Sequence, residues 1–239
     1  MNSFLQGFLD NDSFFGRFMT KLGIIIAANI LFCIASVPFV TIGAGFAGLY
    51  HVMLKTLRSG GVCNPFKQFW IGFKSNFRQA TISWLVTAAI IAFLVVDLKI
   101  CDQAEGAVGN IRVGIYAIMV IVVALYLYLM PTMAAFYGTI KELLKDSLYF
   151  IVKKPWKFLV IAFFDIFPLV LTYTDAQYQP LYGFIWVFCG FGLQAMLASR
   201  LLLPEFRPFL DQIDESGGPI DPGDDEESMM RDLRELDGL

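Results

Sequence analysis

The first residue of this sequence to suggest chemistry is Asp165, in the segment FFDIFP, the single charge between Phe158 and Thr174. An ionised carboxylate at membrane depth is costly, so such a residue marks a candidate site. Protonated, it would instead hydrogen bond to Asn29, Gln194 or a tyrosine of another helix and serve packing alone. Both uses stay open, and Asp165, Asn29 and Gln194 form a tentative binding set. His51, the sole histidine, has no acid or cysteine at ligand spacing, which argues against a metal site or an acid and base pair. Cys33, Cys63, Cys101 and Cys189 show no paired spacing and are expected to behave as small apolar residues. Phosphate-binding loop, dinucleotide fingerprint, nucleophile elbow and zinc-protease motif are all missing from the sequence. We therefore expect a protein that is not an enzyme and uses neither cofactor nor metal.

The elements that must position Asp165 follow from composition. Of 239 residues, 57% are hydrophobic and 16% charged, a balance that points away from water as the main solvent. No Asp, Glu, Lys or Arg occurs from Leu22 to Leu54, Ala80 to Val96, Val113 to Ile140 or Ala176 to Ser199. A bilayer core takes about 20 such residues per helix. With the Asp165 segment this predicts an all-α polytopic bundle of five spans, near 22–42, 80–97, 113–137, 158–174 and 181–203. Over 22–54 we expect one long helix kinked at Pro38. Its rival is a hairpin turning at Pro38 to Gly45, with halves of roughly 16 residues, short of the spanning length. Gly43, Gly45 and Gly48 with Ala44 and Ala47 make a small-residue face suited to close helix packing.

Charge gives the orientation, because Lys and Arg collect in short cytoplasmic loops. Lys55, Arg58, Lys67, Lys74 and Arg78 stand without an acid between them, and Lys141, Lys145, Lys153, Lys154 and Lys157 outnumber Glu142 and Asp146. Both stretches are expected inside. Residues 97–112 and 173–180, slightly acidic, are expected outside. Five crossings put the C-terminus in the cytoplasm and the N-terminus outside, with Arg17 and Lys21 on the disfavoured side. Residues 205–239 hold twelve acids against Arg207, Arg231 and Arg234. They are expected to form a disordered tail of charge −9, leaving the remainder at +6.

Two segments suit the membrane interface. In PFKQFWIGFKSNFRQ, residues 65–79, Phe66, Phe69, Trp70, Phe73 and Phe77 share a helical stripe edged by Lys67, Lys74 and Arg78. Rings at the acyl boundary and amines reaching phosphate would make it lipid-facing. Packing on other helices of the same chain would produce the same stripe. Lys153, Lys154, Trp156 and Lys157 make the second, similar segment, and residues 1–21, with several Phe, an N-terminal interfacial one. The order span, basic segment, span recurs around Pro38 and Pro131, as a repeat or as convergence on a common hairpin plan.

PFVTIGAGFAGLY from Pro38 to Tyr50, followed by FKSNFRQAT from Phe73 to Thr81, resembles the signature of the YesL-like membrane proteins, over roughly residues 15–205. The resemblance implies a multi-pass protein of the cell membrane, of a kind found mainly in Gram-positive bacteria and often encoded beside sugar-binding proteins, permeases and glycoside-degrading enzymes. That family is a domain of unknown function, so it supplies no catalytic residues. The expected role is a non-enzymatic accessory or regulatory component of a carbohydrate (ABC-type) uptake system. The alternative is a small-solute transporter or channel in its own right. Membrane lipid and ABC permease subunits are the expected partners, and nucleic acid is not.

Overall fold

The computed structural model describes residues 14–60, 63–103 and 111–215. Most of the expected N-terminal segment, and residues 216–239 of the acidic tail, lie outside them. The described residues form helices and no strand: α1 (Phe14–Ala35), a 3-10 turn (Phe39–Thr41), α2 (Ile42–Arg58), α3 (Pro65–Gln103), α4 (Ile111–Ala135), α5 (Ile140–Lys153), α6 (Pro155–Thr174), α7 (Gln179–Ile185), a π turn (Trp186–Gly190) and α8 (Phe191–Glu215). Among the described residues six helices are long and apolar enough to cross a membrane, with α7, the π turn and α8 counted as one rod.

Residues 22–54 form two helices, where one kinked helix was expected. Pro38 lacks an N–H and biases Val37 away from helical angles. The Thr41 hydroxyl then donates to the carbonyls of Ala35 and Pro38, at 2.6 and 2.8 Å, closing the turn. Neither helix is short, because α1 begins upstream of Arg17 and Lys21 and α2 runs on through Lys55 to Arg58. Long cationic side chains at a helix end extend to water and need not stop the helix. Gly60, at φ 75°, takes the left-handed conformation that ends α2.

The expected interfacial segment 65–79 and span 80–97 are one rod of 39 residues, about 58 Å at 1.5 Å per residue. Asn64 caps it, accepting from the N–H groups of Phe66 and Lys67, and Pro65 follows at the first helical position, where no N–H is needed. The second basic segment differs. Pro155 forces Lys154 out of helix (φ −143°, ψ 75°) and separates α5 from α6. A capping box at Thr139 and Glu142 begins α5, and the Thr139 backbone N–H, then its hydroxyl, hold the Glu142 carboxyl below the usual carboxylate range. The last helix continues through Pro204 and Pro208 with Phe206 and Leu210 buried, so residues 205–210 pack in the bundle and the helix runs on to Glu215, where a disordered tail was expected from 205 onward.

Neighbouring helices alternate in direction. On α2 and α3, Gly43 meets Ala80 and Trp84, while Gly48 meets Phe69, an antiparallel pair. Trp84 faces Tyr126, and Arg112 donates to the carbonyl of Cys101, so α4 returns along α3. α8 runs against α1, with Cys33 by Val187 and Ile25 by Gly192, and against α6, with Thr172 by Trp186 and Lys157 by Leu201. Arg17, Lys21, Lys55, Arg58, Lys67 and the lysines of α5 thereby gather at one end of the bundle. α2 is the central helix, and Ala44, Ala47, Leu49, Val52 and Met53 are fully buried. The outer halves of α3 and α4 expose apolar side chains on most sides, as does α6.

Candidate functional site: a carboxylate in a bundle cavity

Asp165 is 8% exposed, halfway along α6. It faces a cavity of about 190 Å³ lined by Phe46 and Tyr50 of α2, Tyr126, Leu127 and Met130 of α4, Leu169 of α6, and Phe191, Gln194 and Ala195 of α8. The two sequence features that build it are prolines and aromatic rings. Pro168 has no N–H to give the carbonyl of Phe164, four residues earlier. Gln194 Nε2 donates to that carbonyl and to the carbonyl of Asp165, each at 3.1 Å. Gln194 thus joins α8 to α6 where Pro168 leaves a carbonyl without its helical partner.

The carboxylate itself is unmatched. Oδ2 of Asp165 is buried without a hydrogen-bond partner, and so is the Tyr126 hydroxyl beside the same cavity. A buried polar atom left unpaired costs about 1–3 kcal/mol, which makes these two atoms the natural contacts for a guest.

Asn29, the third member of the tentative set, is used elsewhere. A π turn displaces carbonyls from regular helical pairing. Asn29 Nδ2 donates to the carbonyls of Trp186 and Val187, at 2.9 and 2.7 Å, and its Oδ1 accepts from the N–H of Gly192 at 2.7 Å. The side chain is fully buried and bridges α1 to the π turn. Replacing Asn29 by Leu should cost about 2 kcal/mol, read as a fall in the thermal or denaturant midpoint of the purified protein. An unchanged midpoint would show that the π turn holds itself.

Of the residues expected at the lipid interface, Lys153, Lys154 and Lys157 converge on Glu205. Their ammonium groups stand 3.8, 2.6 and 2.9 Å from its carboxylate oxygens. Lys157 also donates to the Leu201 carbonyl at 2.7 Å, and Lys153 lies over the rings of Tyr149 and Phe209. Trp156 stays exposed, as do Trp70, Lys74 and Arg78 on α3, with Lys67 half-buried. The stripe on α3 divides. Phe69 is fully buried against α2, whereas Phe66, Trp70 and Phe77 point outward. His51 pairs with Gln68 at 3.2 Å, and the described residues contain no group of three His, Cys, Asp or Glu able to hold a metal.

Sequence reasoning missed Tyr50, Tyr126 and Glu205. A tyrosine inside an apolar run carries a weak signal, since the same residue packs well as a plain ring. Glu205 was hidden by its place at the head of an acidic stretch.

A family described as a protein of unknown function, DUF624, matches residues 25–98. The match takes in the second half of α1, all of α2 and most of α3. Neither the curated proteins nor the solved structures contain a match. Residues 38–50 and 73–81, which carry the resemblance noted above, lie inside the matched segment. The glycines of the first stretch pack on α1 and α3 and its alanines are fully buried, so they build the bundle and leave the cavity to be completed by α4, α6 and α8.

Proposed function

We propose that this chain is a non-enzymatic, YesL-like protein of the cell membrane that binds a small solute within its helix bundle and serves as an accessory or regulatory component beside a carbohydrate uptake system. The observation that carries solute binding is the cavity holding an unpaired, buried carboxylate. An intramembrane ionisable group of this kind is a functional candidate by default. Association with an uptake system rests on the resemblance, with ABC permease subunits as the partners it implies. The exposed apolar sides of α3, α4 and α6 face acyl chains, and Trp70, Trp156, Lys74 and Arg78 sit at the headgroups.

The alternating helices suggest an orientation different from the one expected from five crossings. If α1 enters and α2 leaves on the same side, both ends lie in the cytoplasm, and every basic segment, Arg17 and Lys21 included, falls on that side, in keeping with the usual distribution of Lys and Arg. Asp165 then stands eight residues from Lys157, about 12 Å along α6, well inside the hydrocarbon.

A screen of small solutes, cationic and neutral, should find one that raises the melting temperature of the purified protein saturably, by the mass action of a ligand that binds only the folded state. Complete indifference to such a panel would remove solute binding from the account. Recovery of permease subunits on mild purification from native membranes tests the accessory role, and a repeatedly solitary protein counts against it.

Transport in its own right is a second reading, favoured by the helix irregularities around the cavity: Pro131 follows Met130 within α4, Pro168 follows Asp165 by three residues within α6, and the π turn ends just before Phe191. Irregular backbone at membrane depth commonly lines a solute path. Solute flux into proteoliposomes of the pure protein distinguishes it.

A further inference from the structure

The lining of the cavity specifies more than size. Its walls present the rings of Phe46, Tyr50, Tyr126 and Phe191, a single carboxylate, and no cationic side chain. Phe46 and Phe191 meet edge to face, with centroids 6.2 Å apart. Among the described residues nothing hydrogen bonds Oδ2 of Asp165 or the Tyr126 hydroxyl, and Gln194 Nε2 already holds two backbone carbonyls. A guest must therefore bring the missing positive charge or hydrogen-bond donors with it. Aromatic faces attract a cation through their quadrupoles, most strongly where water is excluded. An anion would meet the carboxylate, and a neutral apolar guest would leave it unpaired.

Building on the solute-binding reading, we propose that the cavity is a site for a small organic ammonium ion, with Asp165 as counter-ion, Tyr126 as hydrogen-bond acceptor and the rings of Phe46, Tyr50 and Phe191 as its walls. Size agrees. A cavity of about 150 Å³ holds a benzene-sized molecule, so 190 Å³ suits an ammonium ion with a few carbons. The site lies between α2, α4, α6 and α8, so an occupant ties the α2 region, which belongs to the matched segment, to the later helices.

The test uses the full-length protein in nanodiscs, with equilibrium binding and thermal unfolding read for n-butylammonium, tetramethylammonium, 1-pentanol as a neutral analogue of n-butylammonium, and a set of neutral polyols. At least one ammonium ion should bind saturably and 1-pentanol should not. Asp165→Asn should weaken ammonium binding about tenfold or more, and Tyr126→Phe should weaken n-butylammonium more than tetramethylammonium, which has no N–H to donate. Asp165→Leu should abolish binding while raising the ligand-free melting temperature, because it removes an unpaired carboxylate. Equal binding of 1-pentanol and n-butylammonium, binding of polyols alone, or unchanged ammonium binding in Asp165→Asn would overturn the cation class and leave solute binding standing. Failure of every solute would overturn both. A lower ligand-free melting temperature in Asp165→Leu would show that the carboxylate is held by the protein, and that too would contradict the assignment.

Discussion

Gly43→Ala should destabilise the bundle by about 3 kcal/mol, near the upper end of what overpacking a well-filled interior costs. A methyl group there would run into the carbonyl oxygen of Ala80 and would lie 2.6 Å from Cβ of Trp84. Neither is the free end of a flexible side chain, so α2 and α3 must part. The same substitution at Gly72 collides with Cβ of His51 on the opposite helix. Gly114→Ala is the control, since nothing lies within 4 Å of its would-be methyl, and alanine favours helix over glycine by about 1 kcal/mol. Denaturant unfolding in detergent should show Gly43→Ala and Gly72→Ala clearly weakened and Gly114→Ala unchanged or firmer. Equal midpoints for all three would mean that α2 and α3 are not in contact.

Glu205→Gln should also weaken the bundle, by about 2 kcal/mol once the exposure of two of its lysine partners is discounted, by a different route. The carboxylate is buried to 7% exposure and gathers Lys153, Lys154 and Lys157 from the end of α5 and the start of α6. Removing the buried partner strands Lys157 most, since its side chain is 17% exposed, while Lys153 and Lys154 keep access to water. Here three ammonium groups would be left facing one another, with Lys157 still half-held by the Leu201 carbonyl. The loss should be greatest at low ionic strength, where screening of the stranded lysines is weakest, and Glu205→Asp should recover part of it. A silent Glu205→Gln would show that the lysines reach water or lipid headgroups instead.

These two sites show what the sequence makes legible and what it does not. The membrane class was plain from four charge-free stretches, because hydrocarbon tolerates few alternatives to a long apolar helix. Asp165 was visible for the same reason, as the exception within one. The small-residue face at Gly43 to Gly48 was visible too, though which helix would pack on it was not. Helix ends were harder. Charges at Lys21 and Lys55 looked like boundaries, yet the helices pass through them, and this hid the second helix within residues 22–54 and the full length of α3. Partners distant in sequence were hardest. Asn29 and Gly192 are 163 residues apart, Lys157 and Glu205 are 48 apart, and no local spacing announces either contact. Tyr50 and Tyr126 became part of the site only once α2 and α4 were seen beside α6.

The proposed orientation, with both chain ends on the inner face, underlies the whole account, since it would set Asp165 within the membrane and Glu205 at its cytoplasmic edge. Labelling of single cysteines in intact cells with a membrane-impermeant maleimide tests it directly, after Cys33, Cys63, Cys101 and Cys189 are replaced by Ser. Tyr173, 87% exposed at the end of α6 far from Lys157, is one probe position as Tyr173→Cys, and Ser3→Cys and Ser228→Cys are the others. The account predicts labelling of Tyr173→Cys from outside and of Ser3→Cys and Ser228→Cys only after permeabilisation. Labelling of Ser3→Cys in intact cells, with Ser228→Cys protected, would instead put the two ends on opposite sides of the membrane and contradict it.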